Sequence, residues 1–472
     1  TASAGTDNVR LGDGAGASIA SGGNQNTLIG KDAGTALTTG DANVIVGHSA
    51  GDAFTDADYN VAVGFGALSS DTKGDRSVAI GLNALTTQNH TSVTQTFNTA
   101  VGDNAGDAVT TGTNNTLIGA LSGDAITTGG SNTAVGSYSM TTLSTGSDNV
   151  AVGTSALDVA TTGSNNTAVG RNALGANTDA SNNTAVGKDA LLVNTTAGVN
   201  TAVGALALSS NTTPANNTAV GYNALGANTT GNNNVALGSY ALDADTTGYN
   251  NVAIGQNAST ALTEGNSTTS IGQNALAQST TANDNTALGS MAGYNCTDGH
   301  SNTFVGRLAG YLSTTTGDNN TTIGYYAQGS SATADNEFTL GNSSISNLRC
   351  ADTSISSLSD ERDKKNIVDV PLGLDFINTL RPVSFDWNRR DGSKKDMKDF
   401  GFIAQELKTA QEATDYSDHM RLVNIGEMNT DDGKVEMMEA DPMKTYPVLV
   451  KAVQELSEAL DAALARIKVL EG

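Results

Sequence analysis

The sequence predicts a mainly β protein: a parallel β-solenoid or β-roll of about twenty 17-residue repeats over residues 1–345, a linker over 346–358, and a small α+β domain over 359–472 that ends in a coiled-coil helix. Three observations carry this prediction. An aliphatic residue followed by glycine recurs every seventeen residues, as at Val169-Gly170, Val186-Gly187, Val203-Gly204 and Val220-Gly221. Aromatic residues make up only 4% of the 472 residues while glycine contributes 54, too few rings to anchor the several compact cores that a chain of this length would normally build. Charge also changes abruptly near residue 358: residues 359–472 hold 16 of the 24 Lys and Arg and 23 of the 48 Asp and Glu, leaving 8 and 25 for everything before.

The repeat comes first, because a fixed period governs every later assignment. Its glycines run Gly12, Gly30, Gly47, Gly64, Gly81 and Gly102, then every seventeen residues to Gly306, then Gly324 and Gly341, twenty copies in all. One extra residue precedes Gly30 and Gly324, and a four-residue insertion around Gln88 to Phe97 separates Gly81 from Gly102. A typical copy reads Asn-Thr-Ala-Val-Gly-x-Asn-Ala-Leu, as at Asn166 to Leu174, followed by a polar stretch. Thr167, Ala168 and Val169 alternate with the period of a strand, and a helix would not tolerate this Gly, Asn and Thr content. Each copy is therefore one short strand, a glycine turn, an Ala-Leu step and a polar turn, stable only when stacked on its neighbours.

Stacking at the strand spacing of about 4.8 Å makes twenty coils a rod about 90 Å long. The residue before glycine is Val, Ile or Leu in all twenty copies, which predicts an aliphatic ladder filling a narrow interior. Glycine supplies positive φ or close backbone approach at a corner. Asn stands four before glycine in seventeen copies, as an axial ladder of side-chain amides requires, and Ala stands three after glycine in seventeen, as a tight site requires. The insertion is expected to protrude, because the register resumes at Val101-Gly102.

Over about residues 8–345 this pattern resembles the head repeats of trimeric autotransporter adhesins and the repeat shafts of phage tail fibres, which share a hydrophobic-Ala-Val/Ile-Gly motif. The resemblance implies a trimeric fibre whose chains lie side by side or intertwine, and the sequence leaves both arrangements open.

After the Ser-rich link Cys350 to Ser357, three motifs follow in order: Ser359-Asp360-Glu361-Arg362-Asp363-Lys364-Lys365-Asn366-Ile367, then Leu380-Arg381-Pro382-Val383-Ser384-Phe385-Asp386-Trp387, then Gly401-Phe402-Ile403-Ala404-Gln405-Glu406-Leu407. Together they resemble the intramolecular chaperone domain of phage tailspikes and tail fibres, the endosialidase-type self-cleaving peptidase family. The resemblance implies a domain that assembles as a trimer, guides folding of the fibre ahead of it, and then cuts itself off between Leu358 and Ser359 through a Ser-Lys dyad. By position the nucleophile is Ser359 and the base Lys364, with Asp360, Arg362 and Asn366 matching the rest of the motif. Asp363 stands where an apolar residue is usual, and Lys365 is a second candidate base.

The chemistry sets its own conditions. A lysine takes a serine proton only when desolvation or crowding leaves its amine neutral, so burial is required. Five positions apart, Ser359 and Lys364 lie on different faces of a helix and opposite faces of a strand. Contact must come from a turn or from a neighbouring chain, and trimer assembly would then complete the dyad. The bland alternative makes Ser359 a helix cap with acidic residues in the first turn. Further on, Leu449, Val453, Leu456, Leu460, Ala463, Ile467 and Leu470 are spaced 4-3-4-3-4-3, a heptad seam; a core stripe within one domain is the alternative.

Several function classes are excluded or disfavoured. A net charge of −24 argues against nucleic acid and anionic membranes. Cys296 and Cys350 are too few for a disulfide framework and read as free thiols. No apolar run reaches a membrane span, and a chain opening at Thr1 without a signal-peptide pattern reads as a fragment or a processed product. His48, His90, His300 and His419 share no ligand spacing, and Asp is too scattered for a calcium array, so neither metal nor cofactor is expected. Val44, Val61 and Val78 interrupt the threonines that an ice-binding face needs, and no paired carboxylates with aromatics suggest polysaccharide hydrolysis. The resulting expectation is a trimeric tail fibre made in the host bacterial cytoplasm. It would sit in the virion beside other tail proteins, bind a glycan or surface-protein receptor, and have no activity on external substrates. A trimeric cell-surface adhesin without enzymatic activity is the alternative.

Overall fold

The computed structural model describes residues 5–312, 316–345, 361–388, 397–430 and 433–471. Two compact units emerge, Thr1–Ala327 with Asp335–Thr339 and Gln328–Ala334 with Leu340–Gly472.

In the first unit each repeat contributes one three-residue strand, and twenty of these strands form a single sheet. Neighbours pair in parallel at identical repeat positions: Thr167, Ala168 and Val169 lie opposite Thr184, Ala185 and Val186. The corner glycines do both jobs expected of them. Gly170 has φ +137°, and a Cβ there would lie 2.5 Å from the carbonyl oxygen of Gly187 in the next coil. Positive φ and coil-to-coil contact together exclude any side chain.

The aliphatic ladder, however, lies outside. In Thr167–Val169 the central Ala168 is fully buried, whereas Thr167 and Val169 are only half-buried. The same pattern puts Ile80, Val152, Leu237 and Leu288 at 37–48% exposure. A strand has two faces, and the coil interior is too narrow at this point for anything but alanine in most copies. The interior is filled instead from the turn, by Leu174 and its equivalents four after glycine, which are fully buried. Leu174 takes a left-handed φ of +52°. That conformation costs about 1–2 kcal/mol, less than the roughly 1.5–3 kcal/mol gained by burying a leucine side chain. Where the strand centre carries a larger residue, the leucine gives way: Leu28 accompanies Gly34, Ile45 accompanies Gly51, and Leu117 accompanies Gly123. A Cβ at Gly123 would lie 2.7 Å from Leu117 Cδ2, so the two sites share one volume.

The asparagine ladder is present, and it works mainly through the backbone. Asn149 Oδ1 accepts from the N–H of Asn166 at 3.0 Å, while Asn166 Nδ2 donates to the carbonyl of Ala180 at 2.8 Å. Each side chain thus satisfies a donor in one coil and an acceptor in another, which lets polar backbone be buried beside alanine.

The insertion leaves the sheet unbroken, with Val78 opposite Thr99 and Ile80 opposite Val101. Thr94–Gln95 pairs in parallel with Gly74–Asp75, and Thr91, Ser92 and Val93 are exposed at the tip. Beneath it the buried Asp71 carboxylate accepts from Gln88 Nε2 at 2.6 Å and from the His90 N–H at 3.0 Å. Burial alone would raise the Asp71 carboxyl, and hydrogen bonding from His90 and Gln88 outweighs it and holds the group below its usual range.

The second unit is α+β. Its helices are Leu374–Ile377, Ala404–Glu412, Ser417–Met420 and Tyr446–Glu471. Val383–Asp386 pairs antiparallel with Lys398–Gly401, and Val423–Thr430 with Gly433–Ala440. Phe376, Leu407, Met420, Leu422 and Val448 form its core.

Candidate functional site

Leu358, Ser359 and Asp360, the expected cleavage point, nucleophile and first supporting acid, lie outside the described residues. The rest of the motif forms a 3-10 turn, Glu361–Asp363, closed by the N–H of Lys364 donating to the carbonyl of Glu361 at 3.1 Å. Two residues later Asn366 takes φ +56°, a left-handed conformation that asparagine tolerates well. Arg362, Lys364, Lys365 and Asn366 are all exposed. Lys364 thus directly follows a turn, and its placement relative to Ser359 lies outside the described residues. A lysine base needs burial, and Lys364 is exposed among the described residues.

The second and third motifs meet. Arg381 Nε donates to Glu406 Oε2 at 3.0 Å, and a second guanidinium nitrogen pairs with Glu406 Oε1. This two-pronged contact holds the Glu406 carboxyl below its usual range, the hydrogen bond from Arg381 being the main cause. One residue on, Leu407 enters the core beside Phe376. Phe385 packs edge-on against Trp387 at 5.1 Å, and Trp387 Nε1 donates to Asp399 Oδ2 at 3.1 Å. The second and third motifs therefore brace a small scaffold.

One bracing contact escaped the sequence. Glu455, on the last helix, accepts from the N–H of Leu374 at 2.7 Å and so caps the Leu374–Ile377 helix from 81 residues away. Nothing in the spacing of these residues signals it.

The heptad seam is not a core stripe. On Tyr446–Glu471 only Val448 and Ala452 are buried, whereas Leu449, Val453, Leu456, Leu460 and Ile467 are 44–59% exposed. Five aliphatic side chains in register along one exposed helix are what a partner helix would cover.

Cys296 is buried with a free thiol that burial pushes up to about 12, while Cys350 lies outside the described residues. Among the described residues no group of three or more His, Cys, Asp or Glu is placed to hold a metal ion, and no helix is long and apolar enough to cross a membrane.

Residues 359–416 match a protein-family model described as the chaperone of endosialidase, a span that contains all three motifs. No curated protein and no solved structure matches the chain.

Proposed function

We propose that this chain, a parallel β-solenoid followed by a chaperone-of-endosialidase segment, is the subunit of a homotrimeric phage tail fibre that serves host attachment. Its C-terminal domain drives trimerisation and folding, then releases itself between Leu358 and Ser359. The observation that carries this reading is the order of the parts, with the matched segment directly following a solenoid of near-identical coils. Such coils can pair one repeat out of register at little energetic penalty, so a separate seed must set their alignment. The exposed heptad seam and the outward aliphatic column both support association of several chains, the former as a seed and the latter along the shaft. A glycan or surface protein of the host is the receptor class this reading implies, with other virion tail proteins as neighbours.

In the release step Ser359 Oγ attacks the carbonyl carbon of Leu358 while the Lys364 amine takes the hydroxyl proton. The C–N bond breaks as the nitrogen of Ser359 is protonated, leaving an ester that water opens. The exposure of Lys364 in a single chain supports completion of the dyad by a neighbouring chain, which would make cleavage a checkpoint for correct assembly.

Light scattering on two proteins tests the proposal. The full chain should give a trimer, and residues 1–358 expressed alone should give aggregates or misaligned oligomers. A soluble, heat-resistant trimer of 1–358 would overturn the chaperone role.

A further inference from the structure

Three consecutive strands, Val44–Val46, Val61–Val63 and Val78–Ile80, carry an aliphatic residue at both outward positions; no other run of three does so, because threonine interrupts the first outward position elsewhere. Aromatic and aliphatic rows flank these strands on both sides. Two residues before the second and third of these strands stand Tyr59 and Arg76, with Ala42 one level before them and Phe97 one level beyond; two residues after the three strands stand His48, Phe65 and Leu82. Tyr59, Phe65, Leu82 and Phe97 are 46–56% exposed. Within each row the side chains are already stacked. The Arg76 guanidinium lies 4.8 Å over the Tyr59 ring, and His48 lies parallel to Phe65 at 5.2 Å.

The first row also departs from the repeat in a way that works against the single chain. Its position is left-handed in nearly every coil, and Asn, Asp or Ser occupies it in most, as at Asn165 and Asn182. Tyr59, Arg76 and Phe97 hold φ +61°, +64° and +50° there, where a bulky side chain is strained. Beyond the Arg76–Tyr59 contact, placing three such residues at three successive levels, exposed, gains the isolated shaft little.

We infer that this patch is a lock between neighbouring shafts, in which Tyr59 and Arg76 of one chain pack against Phe65 and Leu82 of the next, level by level. The inference rests on the trimeric reading above. The patch is continuous with the outward aliphatic column present in every coil, and at roughly 20 Å by 20 Å it nears the upper size that monomers leave uncovered. In a closed threefold ring every contact is head-to-tail, so one edge of each sheet meets the opposite edge of its neighbour at the same height. Two different rows that fit each other are what that geometry demands: the Tyr59 ring meets the Phe65 ring at one level, and the Arg76 stem meets Leu82 at the next.

Cysteine pairing in the full chain tests it, with Cys350→Ser as background and Cys296 buried. Tyr59→Cys with Phe65→Cys should give a disulfide-linked trimer on non-reducing gels, while each single variant should give none. The extended strand Val61–Val63, about 10 Å long, stands between the two positions and exceeds the span of a disulfide, so they cannot bridge within a chain. Tyr59→Asn, which suits the left-handed backbone better, should lower the temperature at which the trimer dissociates without weakening the coil. A trimer with no cross-link, cross-linked dimers from Tyr59→Cys alone, or a more heat-resistant Tyr59→Asn trimer would each overturn the lock and leave the fibre reading standing. Absence of any trimer in the unmodified chain would remove both.

Discussion

Asn228 is the last amide of a buried column, and Asp245 stands where the next one would be. Seven residues after glycine, Asn177, Asn194, Asn211 and Asn228 are fully buried, and the last three donate from Nδ2 to the Oδ1 of the asparagine one coil earlier, at 3.3, 3.0 and 2.9 Å. At the fifth level Asp245 Oδ1 accepts from the N–H of Gly248 at 2.8 Å, but Oδ2 has no partner among the described residues. An oxygen replaces the nitrogen that would have donated to Asn228.

Burial pushes the Asp245 carboxyl up to about 7, against hydrogen bonds that pull it down. The folded value is thus raised above the unfolded one of about 3.9, so the stabilisation is complete below about pH 4 and is lost as pH rises through about 7. Three pKa units correspond to about 4 kcal/mol. Thermal unfolding of the shaft should therefore shift downward between pH 4 and pH 8. Asp245→Asn should continue the column, raise the melting temperature at pH 8 and flatten this dependence. An unchanged pH profile in that variant would refute the assignment.

The outer asparagine ladder makes an independent prediction about stability. Asn166→Ala removes the acceptor of the buried Asn183 N–H, while the Ala180 carbonyl keeps a donor in Asn177 Nδ2 at 3.0 Å. Leaving one buried backbone N–H unsatisfied costs about 1–3 kcal/mol, which denaturant unfolding would register. Thr268 interrupts the same ladder and reaches the Ala282 carbonyl only at 3.5 Å. Thr268→Asn should restore the amide contacts and stabilise the shaft by about 1 kcal/mol.

Much of this shaft was legible in its residues. The period placed all twenty strands of the main sheet, and Gly170 and Ala173 do the job their recurrence suggested, while Asn166 bonds along the axis through backbone groups. The face of Val169 was not legible, because alternation defines two faces without saying which is inside, and the larger apolar residue is the natural first choice for an interior. What decides is the coil's width, set by Leu174 entering from a left-handed turn residue that strand periodicity does not describe. The inner Asn177 column also went unseen, since only four copies carry it. In the C-terminal domain the motifs were legible one by one. Their contact through Arg381 and Glu406 was not, because it joins residues 25 apart across two elements.

That contact gives a test of the chaperone's scaffold. Arg381→Glu should reduce the yield of soluble trimer, since it sets like charges against each other where the second and third motifs meet. Combining it with Glu406→Arg should restore the yield. Failure of the double variant to recover would show that the pair does not act as a unit.

Intact mass after folding tests the central claim most directly. The wild-type chain should yield two fragments, cut between Leu358 and Ser359, with Ser359 opening the smaller. Ser359→Ala should stay whole while still assembling, and Lys364→Ala should cut about 10² to 10⁴ times more slowly. An uncut wild-type chain under every folding condition, or a cut that persists in Ser359→Ala, would contradict the account.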